Sequence, residues 1–224
     1  VKVQQLWLEA FNECIGEEQE RHGTNPVDWK ASGRASKAWP DKENGDWWAE
    51  KGPEMLETFI QMWTNSGWSV WHTPEGIPGI ELGFNTMYGD VLIKAFVDLV
   101  AVTPDGELVV VDFKTGANMP SSSMQLGLYA SSIEQQFGVR PSQGFYYNAR
   151  DGVMVPASNM DNWTHPLFTE LFKQFEVSVQ NKVFLPNLGM MCKGCFVKDY
   201  CHAYGGEYAH FVDPLYAISQ QKEQ

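Results

Sequence analysis

The sequence predicts a mixed α/β fold, a small central sheet flanked by helices, and three observations carry that prediction. Residues 94–116, KAFVDLVAVTPDGELVVVDFKTG, alternate as two strands joined by a tight turn. Segments on either side of this hairpin place their apolar residues at helical spacing. The 224 residues are 43% hydrophobic and 20% charged, the composition of an ordinary globular chain long enough to bury a sizeable core.

The hairpin carries charge where a half-buried strand would not want it. Val109, Val111 and Phe113 point to one face, so Val110, Asp112 and Lys114 share the other. Asp98 sits among Phe96, Val97, Leu99 and Val100. Pro104-Asp105-Gly106 suits a three-residue loop, with proline opening a type I turn and glycine taking the left-handed position. That loop pairs Thr103 with Glu107 and, counting back, sets Asp98 opposite Asp112. Two carboxylates then face each other with Cβ atoms roughly 5 Å apart, and a lysine lies on the same face. Like charges so placed repel unless a cation sits between them. Carboxylate oxygens suit Mg²⁺ or Mn²⁺, and Lys114 would hold an attacking water or offset charge on a phosphate. A solvated hairpin with scattered charges is the alternative, and the apolar runs around both aspartates argue against it.

The other elements follow in order. Residues 4–20 read as a helix, with Leu8, Phe11 and Ile15 on one face and Cys14 beside it. Residues 23–45 are polar and irregular, a long loop or lid. Arg21, Lys30, Arg34, Lys37 and Lys42 make it locally basic, and Trp29 and Trp39 interrupt it. It is either a strand-tracking surface, with rings for bases and cations for phosphates, or a loop tacked to the core by its aromatics. Residues 46–63 predict a helix with Pro53 in its first turn. Its buried stripe is Met55, Phe59 and Met62, or Leu56, Ile60 and Trp63.

Residues 67–81 predict a strand, SVWHT, and a Pro/Gly-rich connection; His72 receives no role. A strand begins at 84–87, and Tyr88-Gly89-Asp90 turns it into the 94–102 strand. Ser121 to Ser123 cap a helix over 124–137 that Gly138 stops. Residues 144–148, GFYYN, form a buried strand, and Arg150-Asp151-Gly152 turns it into 153–155. Pro166 opens a last helix with Leu167, Leu171, Phe172 and Phe175 as its buried stripe.

The tail adds a separate chemistry. Cys192, Cys195 and Cys201 are separated by two and five residues, so three of the four cysteines fall within ten positions. In a reducing compartment such spacing means a metal site before disulfides. Thiolates fit zinc or an iron–sulfur cluster, and three of them need a fourth ligand. His202 could complete a local zinc site; Cys14 is the remaining thiol.

At these residues the chain resembles the PD-(D/E)XK nucleases in their RecB-type exonuclease form. The carriers are Asp98, then Asp112-x-Lys114 followed by Thr115-Gly116, then Gln125 and Tyr129 spaced as Gln-x-x-x-Tyr. The resemblance implies a restriction-endonuclease-like mixed sheet. Asp98, Asp112 and the Phe113 carbonyl would bind the metal, and Lys114 would serve catalysis. Gln125 and Tyr129 share one helical face and would reach into the site or onto DNA. The family often draws a His or Glu from the preceding helix. This chain has no His there, so Glu54 is the candidate ligand and Glu57 the other available carboxylate.

One cysteine near the N-terminus and three near the C-terminus resemble the arrangement in AddB-like, CRISPR-associated and phage-encoded relatives. There Cys14, Cys192, Cys195 and Cys201 would hold a [4Fe–4S] cluster joining the chain ends. The expectation is a single domain over 1–224, with 1–20 and 186–205 forming the cluster subregion. Its function would be a Mg/Mn-dependent DNA exonuclease on single-stranded or frayed ends. The competing class is a DNA-end-binding or adaptor subunit of a recombination or spacer-capture complex, for which the intact Asp–Asp–Lys set is a poor fit.

Net charge of −12 argues against broad electrostatic binding of nucleic acid, though not against a narrow metal-assisted channel. No apolar run approaches the ~18 residues of a membrane span, and the first residues are too polar for a signal peptide. The expected partner is DNA, with no membrane, in the cytoplasm (a host's, if phage-encoded). A homo-oligomer or a recombination- or CRISPR-type protein partner is compatible with these features.

Overall fold

The computed structural model describes residues 3–23, 25, 29, 37, 42–116, 118–183 and 186–212. The chain forms two compact units, one of Val1–Met87 with Leu92–Phe168 and the other of Tyr88–Val91 with Thr169–Gln224.

Helix α1 (Val3–His22) is followed, after the polar segment, by α2 (Gly45–Ser66). Asn44 caps α2, its side chain accepting the Trp47 N–H at 3.0 Å, and Gly67 ends it at φ 67°. Pro53 lies inside α2 rather than in its first turn, where its missing N–H removes a rung of the helix. Gly52 beside it is a close-approach position: a Cβ there would lie 2.0 Å from the Trp7 ring of α1. Most of residues 23–45, including Lys30, Arg34 and Trp39, lies outside the described residues; Arg21 closes α1 in an ion pair with Glu18.

The strands are β1 (Ser69–Val70), β2 (Ile80–Tyr88), β3 (Val91–Val102), β4 (Leu108–Lys114), β5 (Gln143–Asn148) and β6 (Val153–Pro156). They form one mixed sheet in the order β1-β3-β4-β5-β6, with β2 also paired to β3. The first predicted strand shrinks to two residues, and His72 makes only an isolated bridge to Pro78. The β3–β4 register is the one the turn predicts. Leu99 pairs with Val111 and Val102 with Leu108, the Thr103 N–H donates to Glu107 O at 2.9 Å, and Gly106 takes φ 84°. Strand β5 runs parallel to β4, pairing Asp112 with Tyr146 and Lys114 with Asn148.

Helix α3 (Met124–Phe137) makes the crossover between those parallel strands. Ser122 Oγ accepts the Met124 N–H, and Gly138 stops the helix at φ 73°. Leu126, Tyr129, Ala130 and Ile133 cover one face of the sheet, against Val100, Val110 and Tyr146. Phe59, Met62 and Trp63 of α2 cover the other, against Leu99, Val109, Val111 and Tyr147. The α2 stripe thus mixes the two predicted alternatives, while Ile60 stays exposed. Val109, Val110 and Val111 are fully buried, each worth roughly 1.5–3 kcal/mol of removed apolar surface. That central strand delivers Asp112 and Lys114 to its own carboxyl end.

Helix α4 (His165–Gln180) corrects one expectation: Phe168 is its buried side chain, whereas Leu167 and Phe175 are exposed. In the second unit Phe172 packs on Tyr88 at 5.4 Å. Beyond α4 come short 3₁₀ turns at Met190–Gly194, Lys198–Tyr200 and His202–Tyr204, then α5 (Ala209–Val212).

Candidate active site

Five of the side chains singled out in the sequence converge at the carboxyl end of β4. Asp98 Oδ2 accepts the backbone N–H of Phe113 at 2.7 Å. The side chain therefore takes over one step beyond the last paired residues of the β3–β4 ladder, Leu99 and Val111. Asp112, at 2% exposure, lies on the same face. Its Oδ1 accepts the Gln125 amide N–H at 2.7 Å. Its Oδ2 is an ion-pair partner of Lys114 Nζ at 2.5 Å, without hydrogen-bond geometry. Lys114 Nζ also donates to Gln125 Oε1 at 3.1 Å, and the Gln125 amide donates to Tyr129 OH at 2.7 Å. Gln125 thus ties both charged groups to α3.

Burial pushes the Asp112 carboxyl above the usual carboxylate range. The Asp98 charge adds to this, while Lys114 and Tyr129 pull it back. Burial also raises Tyr129, with both aspartates contributing. Tyr146 belongs to the same group: its ring centroid lies 5.6 Å from Lys114 Nζ and its hydroxyl donates to Ser122 O at 2.8 Å. Burial, with Asp112 and Tyr129 nearby, pushes that hydroxyl up to about 12, so it stays neutral.

The donors fit a hard divalent cation. Two carboxylates are an ordinary protein contribution to Mg²⁺, and the buried Asp112 oxygen that a cation would take is held in this structure by the Lys114 ammonium at 2.5 Å.

The family model described as the PD-(D/E)XK nuclease superfamily matches residues 6–202. The chain belongs to the PD-(D/E)XK nuclease superfamily. It is also similar to the Gene 69 protein of Mycobacterium phage D29, at 32% identity over 180 residues, which cover 70% of this chain and 66% of that protein. The chain therefore spans just under two thirds of the length of that relative.

Within this superfamily member, Glu54 is not brought to the aspartates. It is exposed and engaged by Lys51 at 3.2 Å, and among the described residues no three His, Cys, Asp or Glu side chains are gathered as a metal site. The site therefore rests on a carboxylate pair. The same holds for the cysteines: Cys192 lies in the first 3₁₀ turn beyond α4, and Cys195 and Cys201 directly follow the first and second. All three are free thiols, and among the described residues they are not gathered as a metal site. Cys192 Sγ accepts the Gly189 N–H at 3.3 Å instead.

Sequence reasoning missed Tyr146 as a member of the site, although it placed the turn that follows. The GFYYN run marks a strand but does not say which tyrosine shares a face with Asp112. Only the parallel register with β4 decides that.

Proposed function

We propose that this chain is a Mg²⁺- or Mn²⁺-dependent RecB-type DNA exonuclease acting on single-stranded or frayed ends in the cytoplasm. The observation that carries this is the buried Asp112, facing Asp98 and locked by Gln125 beside Lys114. Asp98, Asp112 and the Phe113 carbonyl would hold the cation, which supplies Lewis acidity to the scissile phosphate and acidity to a water. Asp98 keeps its carboxylate aimed through its bond to the Phe113 N–H. Gln125 fixes the rotamer of Asp112 and the position of the Lys114 ammonium together. Lys114, at 26% exposure, is the cationic group of this set and reaches the surface, so it meets the phosphate and orients the nucleophile. Tyr129 steadies Gln125 from the same helical face. No helix of the described residues is long and apolar enough to cross a membrane.

The spacing of Cys192, Cys195 and Cys201 and the family resemblance support a [4Fe–4S] cluster completed by Cys14, with His202 as the rival fourth ligand of a zinc site. Hydrolysis needs neither. Iron and sulfide analysis of anaerobically purified wild type, Cys14→Ala and His202→Ala separates the two. Full iron in Cys14→Ala with loss in His202→Ala would remove the terminus-joining cluster. Digestion of 5′- and 3′-labelled strands with Mg²⁺ or Mn²⁺ tests the activity and its polarity. Progressive release of terminal nucleotides is expected. Internal cuts alone would refute exonuclease action, and no cleavage with either metal would refute the nuclease reading.

A further inference from the structure

Arg150, in the turn after β5, is the most heavily committed charged side chain near the site. Its Nε donates to the Thr115 carbonyl at 2.5 Å, one residue beyond Lys114. Its two terminal nitrogens fork onto Glu43 at 2.9 and 2.6 Å. The guanidinium also lies 5.1 Å from the Trp47 ring centroid and 5.7 Å from that of Trp48. Both partners of the ion pair are largely buried, at 19% and 14% exposure. Each guanidinium nitrogen already donates, so the geometry suits holding the protein backbone rather than grasping a nucleic-acid phosphate.

What it holds is the end of the strand that presents the lysine. The Ala149 N–H donates to Lys114 O at 3.0 Å, and the Arg150 N–H is fixed by Asn148 Oδ1 at 3.0 Å. Beyond Lys114 the β4–β5 pairing stops. The Arg150 bond to Thr115 therefore extends the restraint one residue past the ladder, and Glu43 anchors it from the segment leading into α2.

We infer that Arg150 is a positioning residue for Lys114. It clamps the backbone on the carboxyl side of the lysine so that the ammonium stays poised between Asp112 and Gln125. The inference rests on the proposed nuclease activity and adds to it a residue that touches neither metal nor DNA. Displacing a catalytic group by about 1 Å can cost on the order of 100-fold in rate, so loosening this end should be read in turnover and not in binding.

The test compares wild type, Lys114→Ala, Arg150→Lys and the swap Glu43→Arg with Arg150→Glu. Single-turnover cleavage at saturating labelled DNA, KM for DNA and Tm are measured for each. Arg150→Lys keeps the charge beside the tryptophans but loses the fork. It is expected to lower the single-turnover rate by about 10-fold or more while KM stays within about twofold. The swap keeps an ion pair but has no N–H at position 150 to offer Thr115, so Tm should stay near that of wild type while the rate falls at least as far as in Arg150→Lys. An unchanged rate in Arg150→Lys, or rate and Tm both staying near wild type in the swap, would overturn the inference and leave the nuclease assignment intact. A wild type that does not cleave, or a Lys114→Ala that cleaves like wild type, would instead bring down the nuclease assignment and this inference with it.

Discussion

Asp98 is fastened to Phe113: the carboxylate of the first strand accepts, at 2.7 Å, the N–H of the residue lying between Asp112 and Lys114. One side chain thus serves both as half of an acidic pair and as the peg that sets the distance between the two strands' functional groups. Its two roles separate by mutation. Asp98→Asn keeps an oxygen for the Phe113 N–H and should fold with nearly wild-type stability while losing metal-dependent cleavage. Asp98→Ala also strands a partly buried N–H, which costs about 1–3 kcal/mol. Thermal melts alongside cleavage assays check the pair. Equal Tm for the two variants would deny the structural role.

Lys114→Ala removes the charged group proposed to meet the phosphate without removing a candidate metal ligand. Cleavage should fall by a factor of about 10² to 10⁴, with Mn²⁺ binding and most DNA affinity retained. Asp112→Ala should instead lose activity and metal affinity together. Calorimetric Mn²⁺ titration of both variants distinguishes them, and a Lys114→Ala enzyme at wild-type rate would contradict the proposed role of the lysine.

Gln125 joins Asp112, Lys114 and Tyr129 through a single amide. From sequence it was expected to position the substrate strand, from a face able to reach into the site or onto DNA; in the structure its amide is bonded to Asp112 and Lys114. Gln125→Ala should therefore reduce single-turnover cleavage or metal affinity by about 10- to 100-fold, the usual penalty for losing an orienting partner of a ligand. Gln125→Glu should be worse, because a third carboxylate would repel Asp112. A loss confined to DNA affinity would return Gln125 to a substrate-contacting role.

The raised Asp112 carboxyl fixes the sign of a pH effect. The folded state holds this proton more tightly than the unfolded chain. Its contribution to stability is therefore full below the ordinary value of 3.8 and is lost as pH rises through the folded value. In metal-free protein Asp112→Asn should be more stable than wild type at neutral pH, the difference shrinking on acidification. Saturating Mn²⁺ should stabilise wild type by about 2.7 kcal/mol at 100 times its Kd and leave Asp112→Asn unmoved. Proton and metal compete for this carboxyl, so apparent Mn²⁺ affinity should fall on acidification. Melts across pH with and without Mn²⁺ check each part.

The sequence by itself determined the sheet's centre. Three valines, a Pro-Asp-Gly loop and period-two alternation leave one register that keeps apolar side chains inside, and that register sets Asp98 and Asp112 on a shared face. The ends of α3 were equally legible, because Ser122 and Gly138 act within a few residues of themselves. Contacts between distant segments were not. Glu54 and Glu57 were the carboxylates available on the preceding helix, yet helical spacing says nothing of which way α2 turns, and Glu54 is exposed and paired with Lys51. Phe168, not Phe175, is buried on α4 for the same reason: periodicity offers several stripes and only packing selects one. Tyr146 joined the site through a parallel pairing made across a whole helix, and Arg150 reached Glu43 across 107 residues. Local rules fix what a segment can be; which side chains meet is decided by the chain closing on itself, where burial and hydrogen bonding are satisfied jointly.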